Sequence, residues 1–380
     1  MATHLAAVLP GKGQPFEIQT RPTPKPGPDE ILIAVKSVAL NPADLLMRDQ
    51  GLFISEYPAV IGFDMSGLVM EVGENVPVPY FQPSVTRVAA YSASAWKGCS
   101  PDYGPFQEQC LVPWQHAVPL PDQTMSWNHA ATLPVSVQVP LSVWDVIGLP
   151  RMEQDSSSCN ISSTDDNPNQ SVSGDHVNKK EALLVWGASS SIGSMGVQTA
   201  HLMRQNPKYP FAAVYATAGS ANHEYIQSLG ADRVFDYKDP GVVQTITDTA
   251  KADGLAIRHC FLAIGQLAQC QSVLKAFVEP RQEGAKTAKI GSAVPIATDA
   301  ENIDGVDVIF AAPSMMNEEE RLEQFRYWMG TWLRKNLAKG TIKPSPEPSV
   351  VGKGLESINV GLKELAKGVS CKKLVVEISE

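Results

Sequence analysis

The chain has only six cysteines in 380 residues, Cys99, Cys110, Cys159, Cys260, Cys270 and Cys371, and no two form a C-x-x-C pair. That spacing writes neither a disulfide framework nor a zinc lobe, and reduced thiols are the simplest reading. Long apolar runs are missing as well. No stretch reaches the ~18 apolar residues of a membrane helix, and residues 1–15 lack a charged segment followed by an apolar core, so no membrane partner is expected. No Lys/Arg-rich run occurs, and 31 basic against 40 acidic residues give a net charge of −9. This balance argues against nucleic acid as a partner. What remains, 43% hydrophobic and 19% charged residues, is the composition of an ordinary soluble globular protein, with the cytoplasm as the expected location. The length suits two domains at ~100–200 residues each.

Residues 5–20 and 30–40 alternate or run apolar around Arg21-Pro22-Thr23-Pro24-Lys25-Pro26-Gly27-Pro28, which predicts strands joined by a surface turn. Val60-Ile61-Gly62, Gly67–Gly73 and Arg87–Tyr91 read as further short strands of a compact barrel-like unit ending near residue 120. Helical spacing runs from Trp127 to Val146. Residues 151–180 are polar and nearly devoid of aliphatic side chains; they bury too little to offset the cost of ordering and read as an inserted loop, either a lid or a tolerated insertion. From 181 strands and helices alternate, with strands at 211–217, 233–237, 258–263, 289–296 and 306–311 between helical segments. This is the pattern of a doubly wound α/β sheet. Helices are expected at 317–339 and 354–367, and a closing strand at 374–378.

The first of these strands runs Leu183-Leu184-Val185-Trp186 into Gly187-Ala188-Ser189-Ser190-Ser191-Ile192-Gly193, and helical spacing resumes behind it. Small residues at such a turn let a ligand approach the N–H groups that open a helix, which suits a pyrophosphate. The strict G-x-G-x-x-G fingerprint is not met, because Ala188 and Ser190 hold the earlier glycine positions. An NAD site carries an acid ~20 residues on, at the end of the second strand. Here that strand ends in Thr217-Ala218-Gly219-Ser220, with no acid. The absence favours NADPH, since a carboxylate would repel its 2′-phosphate. Ser220, Asn222 and His223 either donate to that phosphate or, as Asn222 equally suits, cap the following helix.

Five segments, at the spacing of one family, carry a resemblance over the whole chain: Val38-Ala39-Leu40-Asn41-Pro42-Ala43-Asp44, Gly62–Gly73, Tyr103-Gly104-Pro105-Phe106-Gln107-Glu108, Ser228-Leu229-Gly230-Ala231-Asp232 and Lys372-Lys373-Leu374-Val375-Val376. With the serine-rich turn, they make the chain resemble a zinc-independent medium-chain dehydrogenase/reductase. It is most similar to the quinone oxidoreductase and enoyl reductase branch, including fungal trans-acting enoyl reductases and toxin-cluster reductases. The resemblance implies a GroES-like β-rich catalytic domain from residues 1–150 and 315–380, a doubly wound Rossmann cofactor domain over 181–314, and an active site in the cleft between them. It also implies that Ser191, Ile192 and Gly193 meet the pyrophosphate, that Tyr237 faces the 2′-phosphate, that Lys372 or Lys373 supplies a missing positive charge, and that the strand ending at Ala311 passes the nicotinamide.

Compared with the zinc alcohol dehydrogenases, the catalytic cysteine falls on Asn41, the histidine on Phe63, and Asp64 takes the acid's place. Neither Asn41 nor Phe63 is a competent zinc ligand, so no metal is expected and alcohol oxidation is disfavoured. Reduction of a conjugated C=C remains, because there the carbonyl needs only hydrogen bonds as it becomes an enolate.

Each catalytic candidate has two readings. Asn41 either bonds the developing enolate oxygen or starts an Asn-Pro turn. Asp44 is either a proton carrier or an N-cap and organiser of the Asn41 loop. Tyr57 either protonates the α-carbon, a role solvent can also fill, or packs before Pro58. Trp96, Trp114, Phe63, Met315 and Met316 shape a substrate pocket or simply the core, and His116 and His129 read as structural. The leading expectation is an NADPH-dependent reductase of an enone, quinone or α,β-unsaturated thioester. A reductase acting in trans on carrier-bound chains of a polyketide synthase and a non-catalytic NADPH-binding partner are the alternatives, each as monomer or homodimer.

Overall fold

The computed structural model describes residues 2–152, 179–278 and 287–379. They form two compact units, one of Met1–Ser142, Ala188–Gly196 and Ala312–Glu380, the other of Val143–Gly187 and Val197–Ala311. The division departs from the expected boundaries at two places. The end of the helix before residue 147 belongs to the second unit, where the Trp144 indole N–H donates to Thr199 Oγ1 at 2.9 Å. The turn Ala188–Gly196 groups with the first.

The first unit opens on an antiparallel pair, β1 (Thr3–Val8) and β2 (Glu17–Pro22). Next come β3 (Glu30–Ala39), α1 (Pro42–Gln50), β4 (Asp64–Val72), β5 (Arg87–Tyr91), β6 (Gln109–Pro113) and β7 (Ala117–Pro119). The apolar alternation of β3 is read on both edges: it pairs with β4 along one side, and with β6 on the other through Glu30–Ala34. Val60–Gly62, expected as a strand, has no regular structure; an isolated bridge, Leu9 to Ala59, lies just before it. Asn41-Pro42 does more than start a turn. Proline at the first helical position costs no hydrogen bond, so α1 continues to Gly51, whose φ of 74° closes it. The helical stretch expected over Trp127–Val146 breaks at Thr132 into α2 (Trp127–Ala131) and α3 (Leu133–Val146).

In the second unit, which takes in α4 only from Val197 on, β8 (Glu181–Trp186), α4 (Ser191–Gln205), β9 (Phe211–Ala218), α5 (His223–Ser228), β10 (Arg233–Asp236), α6 (Val242–Ala252), β11 (Ala256–Leu262), α7 (Leu267–Lys275), β12 (Ala288–Ser292) and β13 (Val306–Phe310) alternate as expected. The six strands pair in parallel in the order β10-β9-β8-β11-β12-β13. The order reverses between β8 and β11, the switch point at which doubly wound sheets bind ligands beyond the strand ends. Leu184, Trp186, Tyr215, Ile257, Leu262 and Leu274 form its core.

The chain returns to the first unit with α8 (Glu318–Phe325), a π-helical segment Arg326–Leu333, α9 (Arg334–Lys339), β14 (Pro348–Lys353), α10 (Ser357–Leu365) and β15 (Lys373–Glu377). The single helix expected over 317–339 thus changes winding in its middle. β15 pairs antiparallel with the end of β3, Val375 opposite Ala39, which brings the C-terminal lysine beside Asn41. The expected polar insertion lies, but for its edges, outside the described residues.

Candidate active site

At the end of β8, Gly187 has φ 82°, and a Cβ there would come within 2.5 Å of the Ile264 carbonyl oxygen, just past β11. Only glycine fits the switch point. Gly187 N–H donates to Thr217 Oγ1 at 3.0 Å, which ties the turn to β9. Ser190 caps α4, its hydroxyl accepting from Gly193 N–H at 3.1 Å. The N–H groups of Ser191 and Ile192 come before the first intrahelical acceptor; Ser189, Ser190, Ser191 and Ile192 are half-buried, Ala188 and Gly193 buried. A dinucleotide's pyrophosphate fits this arrangement, with Ala188 and Ser190 in place of the glycines.

Ser220 and Asn222 form a 3-10 turn after β9, and the Tyr237 ring stands 3.9 Å from the Cβ position of Gly219. His223 Nε2 donates to Ala218 O at 3.1 Å, so that nitrogen is committed to the backbone. Here the structure adds an acid that the end of the second strand lacks. Asp236 pairs opposite Ala218, and its carboxylate accepts from Ser220 N–H at 3.3 Å and Lys238 N–H at 2.9 Å. Those backbone bonds, that of Lys238 first, hold it below the usual carboxylate range. The signal was available in sequence at the end of the third strand, one strand later than expected. Ala311 follows directly on edge strand β13, its N–H donating to Ser292 O at 2.8 Å.

In the first unit four polar side chains, Asn41, Asp44, Asp64 and Lys373, are buried together. Lys373 Nζ donates to Asn41 Oδ1 at 2.5 Å and pairs with Asp64 Oδ2 at 3.0 Å. Asn41 Nδ2 donates to Asp64 Oδ2 at 3.0 Å and to Ala39 O at 3.2 Å, and Val135 N–H donates to Asp64 Oδ1 at 2.7 Å. Both Asn41 amide hydrogens are therefore spent within the protein, which corrects the expectation that one of them serves an enolate oxygen. Asp44 accepts from Asn41 N–H at 2.7 Å, the reciprocal arm of a capping box, so it organises the start of α1. Burial, the dominant cause, pushes its carboxyl up to about 8. Lys373 is enclosed in this cluster and is not available to a phosphate; Lys372 is exposed.

Tyr57 is 38% exposed and so is not packed away before Pro58. Phe63 meets Tyr91 edge to face at 5.6 Å, and Tyr91, Trp96 and Phe325 surround His116, which stacks on Phe325 at 3.8 Å. Met315 and Met316 are exposed and so are not part of the core. His129 is structural, bonded to Ser126 Oγ and Glu347. His116 is satisfied on one side only: Nδ1 donates to Tyr91 O at 3.2 Å, while Nε2 has no partner among the described residues. Burial first, then the Arg321 charge, pushes its imidazole down to about 3 from the ordinary 6.5. The unfolded chain takes up this proton more readily than the folded one. The His116 contribution is thus complete above pH 6.5 and is lost as pH falls toward 3. In His116→Phe the acid limb of stability against pH should flatten over that window; an unchanged limb in urea titrations would contradict the assignment.

Among the described residues five cysteines are free, and no three His, Cys, Asp or Glu side chains are grouped to hold a metal. No helix among them is long and apolar enough to cross a membrane.

Residues 27–122 match the alcohol dehydrogenase GroES-like domain family. The trans-enoyl reductase tndF of Aspergillus flavipes is 35% identical over 378 residues, 99% of each chain. The trans-enoyl reductase tazE of Aspergillus terreus is 38% identical over 320 residues, 83% of this chain and 93% of its own. An alcohol dehydrogenase superfamily protein from Novosphingobium aromaticivorans shares the fold with a TM-score of 0.73 at 17% identity, over 99% of this chain and 100% of its own. The quinone oxidoreductase of Pseudomonas syringae does so with a TM-score of 0.67 at 18% identity, over 98% and 99%. Relatives this similar over most of their length place the chain in the medium-chain dehydrogenase/reductase superfamily, among the trans-enoyl reductases.

Proposed function

We propose that the protein is an NADPH-dependent, metal-independent reductase that delivers hydride to the β-carbon of an activated C=C in an enone, quinone or α,β-unsaturated thioester. The observation that carries this reading is the ammonium of Lys373 between Asn41 and Asp64. These two stand where the zinc enzymes of the superfamily carry a cysteine and an acid. An amide is a poor zinc ligand, and a fixed cation bonded to both side chains repels a second one. The carbonyl of a conjugated acceptor needs no Lewis acid, because charge reaches it only as the enolate forms.

When bound, the dinucleotide supplies a hydride from its nicotinamide. The chain's own residues do the holding. Ser191 and Ile192 offer N–H groups to the pyrophosphate, Gly187 keeps the turn tight, and Ser220, Asn222 and Tyr237 frame the adenosine 2′-phosphate. Tyr57, with its phenol at the surface, or solvent returns the proton to the α-carbon. The Asp236 carboxylate is the one feature that disfavours the phosphate, and its two backbone partners moderate it. Asp236→Asn should therefore raise the kcat/KM ratio of NADPH over NADH about tenfold, ~1.4 kcal/mol. An unchanged ratio would remove Asp236 from the nucleotide site.

The test of the main reading is NADPH oxidation with a panel of enones, quinones and enoyl thioesters beside simple alcohols and aldehydes, with added zinc and with chelator. Metal-insensitive turnover of the conjugated acceptors alone is expected, and zinc-dependent turnover of alcohols would overturn it. A second reading, a reductase that acts in trans on carrier-bound enoyl chains of a polyketide synthase, is favoured by the names of the relatives. It predicts a higher kcat/KM for an enoyl group on a carrier protein than for the same group on a small thiol. Equal values would leave the free acceptor as substrate.

A further inference from the structure

A pocket of about 470 Å³ lies within the first unit, by the end of β15 opposite to Lys373, and its lining includes Lys36, Arg87, Trp127, Lys353 and Glu377. Among the described residues its lining carries three cations, Lys36, Arg87 and Lys353, and one carboxylate, Glu377. Lys353 pairs with Glu377 at 3.2 Å, and Glu377 is also held by Asn128. Arg87 is different. Its guanidinium lies 4.0 Å over the Trp127 ring and donates to two backbone carbonyls, Asp122 O at 3.3 Å and Met125 O at 2.7 Å. Among the described residues no carboxylate is within ion-pair reach of it. Asp122, the nearby candidate, turns its carboxylate onto Thr124 instead, accepting from both its N–H and its hydroxyl, at 2.7 and 2.6 Å.

Arg87 is thus a half-buried charge, fixed in orientation by a ring and two carbonyls, that lines a cavity with no carboxylate bonded to it; the Asp122 carboxylate acts on it only from a longer range. Burial, the larger cause, lowers its pKa, as expected where the charge is incompletely compensated. Two of its five N–H donors are used, and an arginine fork suits the planar oxygens of a carboxylate or phosphate. The indole and Met125 give the same pocket an apolar wall.

We propose that this pocket binds a small organic oxyanion, a carboxylate or phosphate monoester on an apolar body, with Arg87 as its anchor. The site is separate from hydride transfer and does not depend on the reading given above.

The experiment titrates the full-length protein with phenyl phosphate, benzoate and inorganic phosphate, following the Trp127 indole by NMR after assignment with Trp127→Phe. Saturable shifts are expected with phenyl phosphate and benzoate, and weaker binding of inorganic phosphate, which lacks the apolar body. Arg87→Lys keeps the charge but loses the fork, and should weaken the organic ligands about tenfold. Lys36→Ala, a change outside the loop that Arg87 holds, should weaken them less while thermal unfolding stays cooperative. No saturable shift, or equal affinity in wild type, Arg87→Lys and Lys36→Ala, would overturn the proposal. Equal binding of inorganic phosphate would overturn the role of the apolar body.

Discussion

Replacing Lys373 with methionine should destabilise the protein by about 3–5 kcal/mol, the cost of removing one partner from a buried ion pair. The magnitude follows from enclosure: the side chains of Lys373 and Asp64 are 4% and 0% exposed, and the ammonium serves Asn41 Oδ1 as well. Methionine fills the volume of the stem but leaves Asp64 charged with only N–H donors around it, and Asn41 with a buried acceptor unpaired. Adding Asp64→Asn removes the stranded charge, so the double variant should lose less than the sum of the two single ones. Urea denaturation of the four proteins checks this. A loss under 1 kcal/mol for Lys373→Met would mean that the ammonium does not hold the cluster.

The second large effect belongs to Gly187→Ala. A Cβ there meets the Ile264 carbonyl oxygen at 2.5 Å and sits on a backbone with φ 82°. About 1–3 kcal/mol for the left-handed conformation and a similar overpacking term add to roughly 2–6 kcal/mol. Relief by moving the turn would shift the α4 N–H groups away from the pyrophosphate. Affinity for NADPH should then fall by well over tenfold in whatever fraction stays folded, as titration calorimetry would show. Wild-type affinity would separate the turn from the nucleotide.

Much of this was readable in the sequence because it is local. The apolar run into small residues gave the strand, turn and helix at 181–205, and alternating strands and helices gave the parallel sheet. Asn41 and Phe63 in the place of metal ligands are what the proposed metal-independent chemistry takes from the sequence. What was not readable depends on register between distant segments. Lys373 reaches Asn41 only because Val375 pairs with Ala39, a partnership 332 residues apart for the two side chains that touch. The donors that a sequence reading offers to substrate go instead to Asp64 and to Ala39 O, in the cluster this register assembles. Asp236 does not stand at the end of the second strand in the sequence; the parallel pairing of β9 and β10 is what sets this acid of the next strand opposite Ala218. The change of winding at Arg326–Leu333 leaves no mark in an amphipathic pattern, since the tilt of a few hydrogen bonds does not alter which residues are apolar.

The central claim is hydride delivery to a conjugated carbon without a metal, and the most direct measurement follows the hydride itself. NADPH deuterated at the transferred position of C4 is incubated with the protein, an enoyl thioester and excess chelator, and the product is read by NMR. Deuterium at the β-carbon, at a rate that chelator and added zinc leave unchanged, is the predicted result. Deuterium on a carbinol carbon, formed only when zinc is supplied, would contradict it.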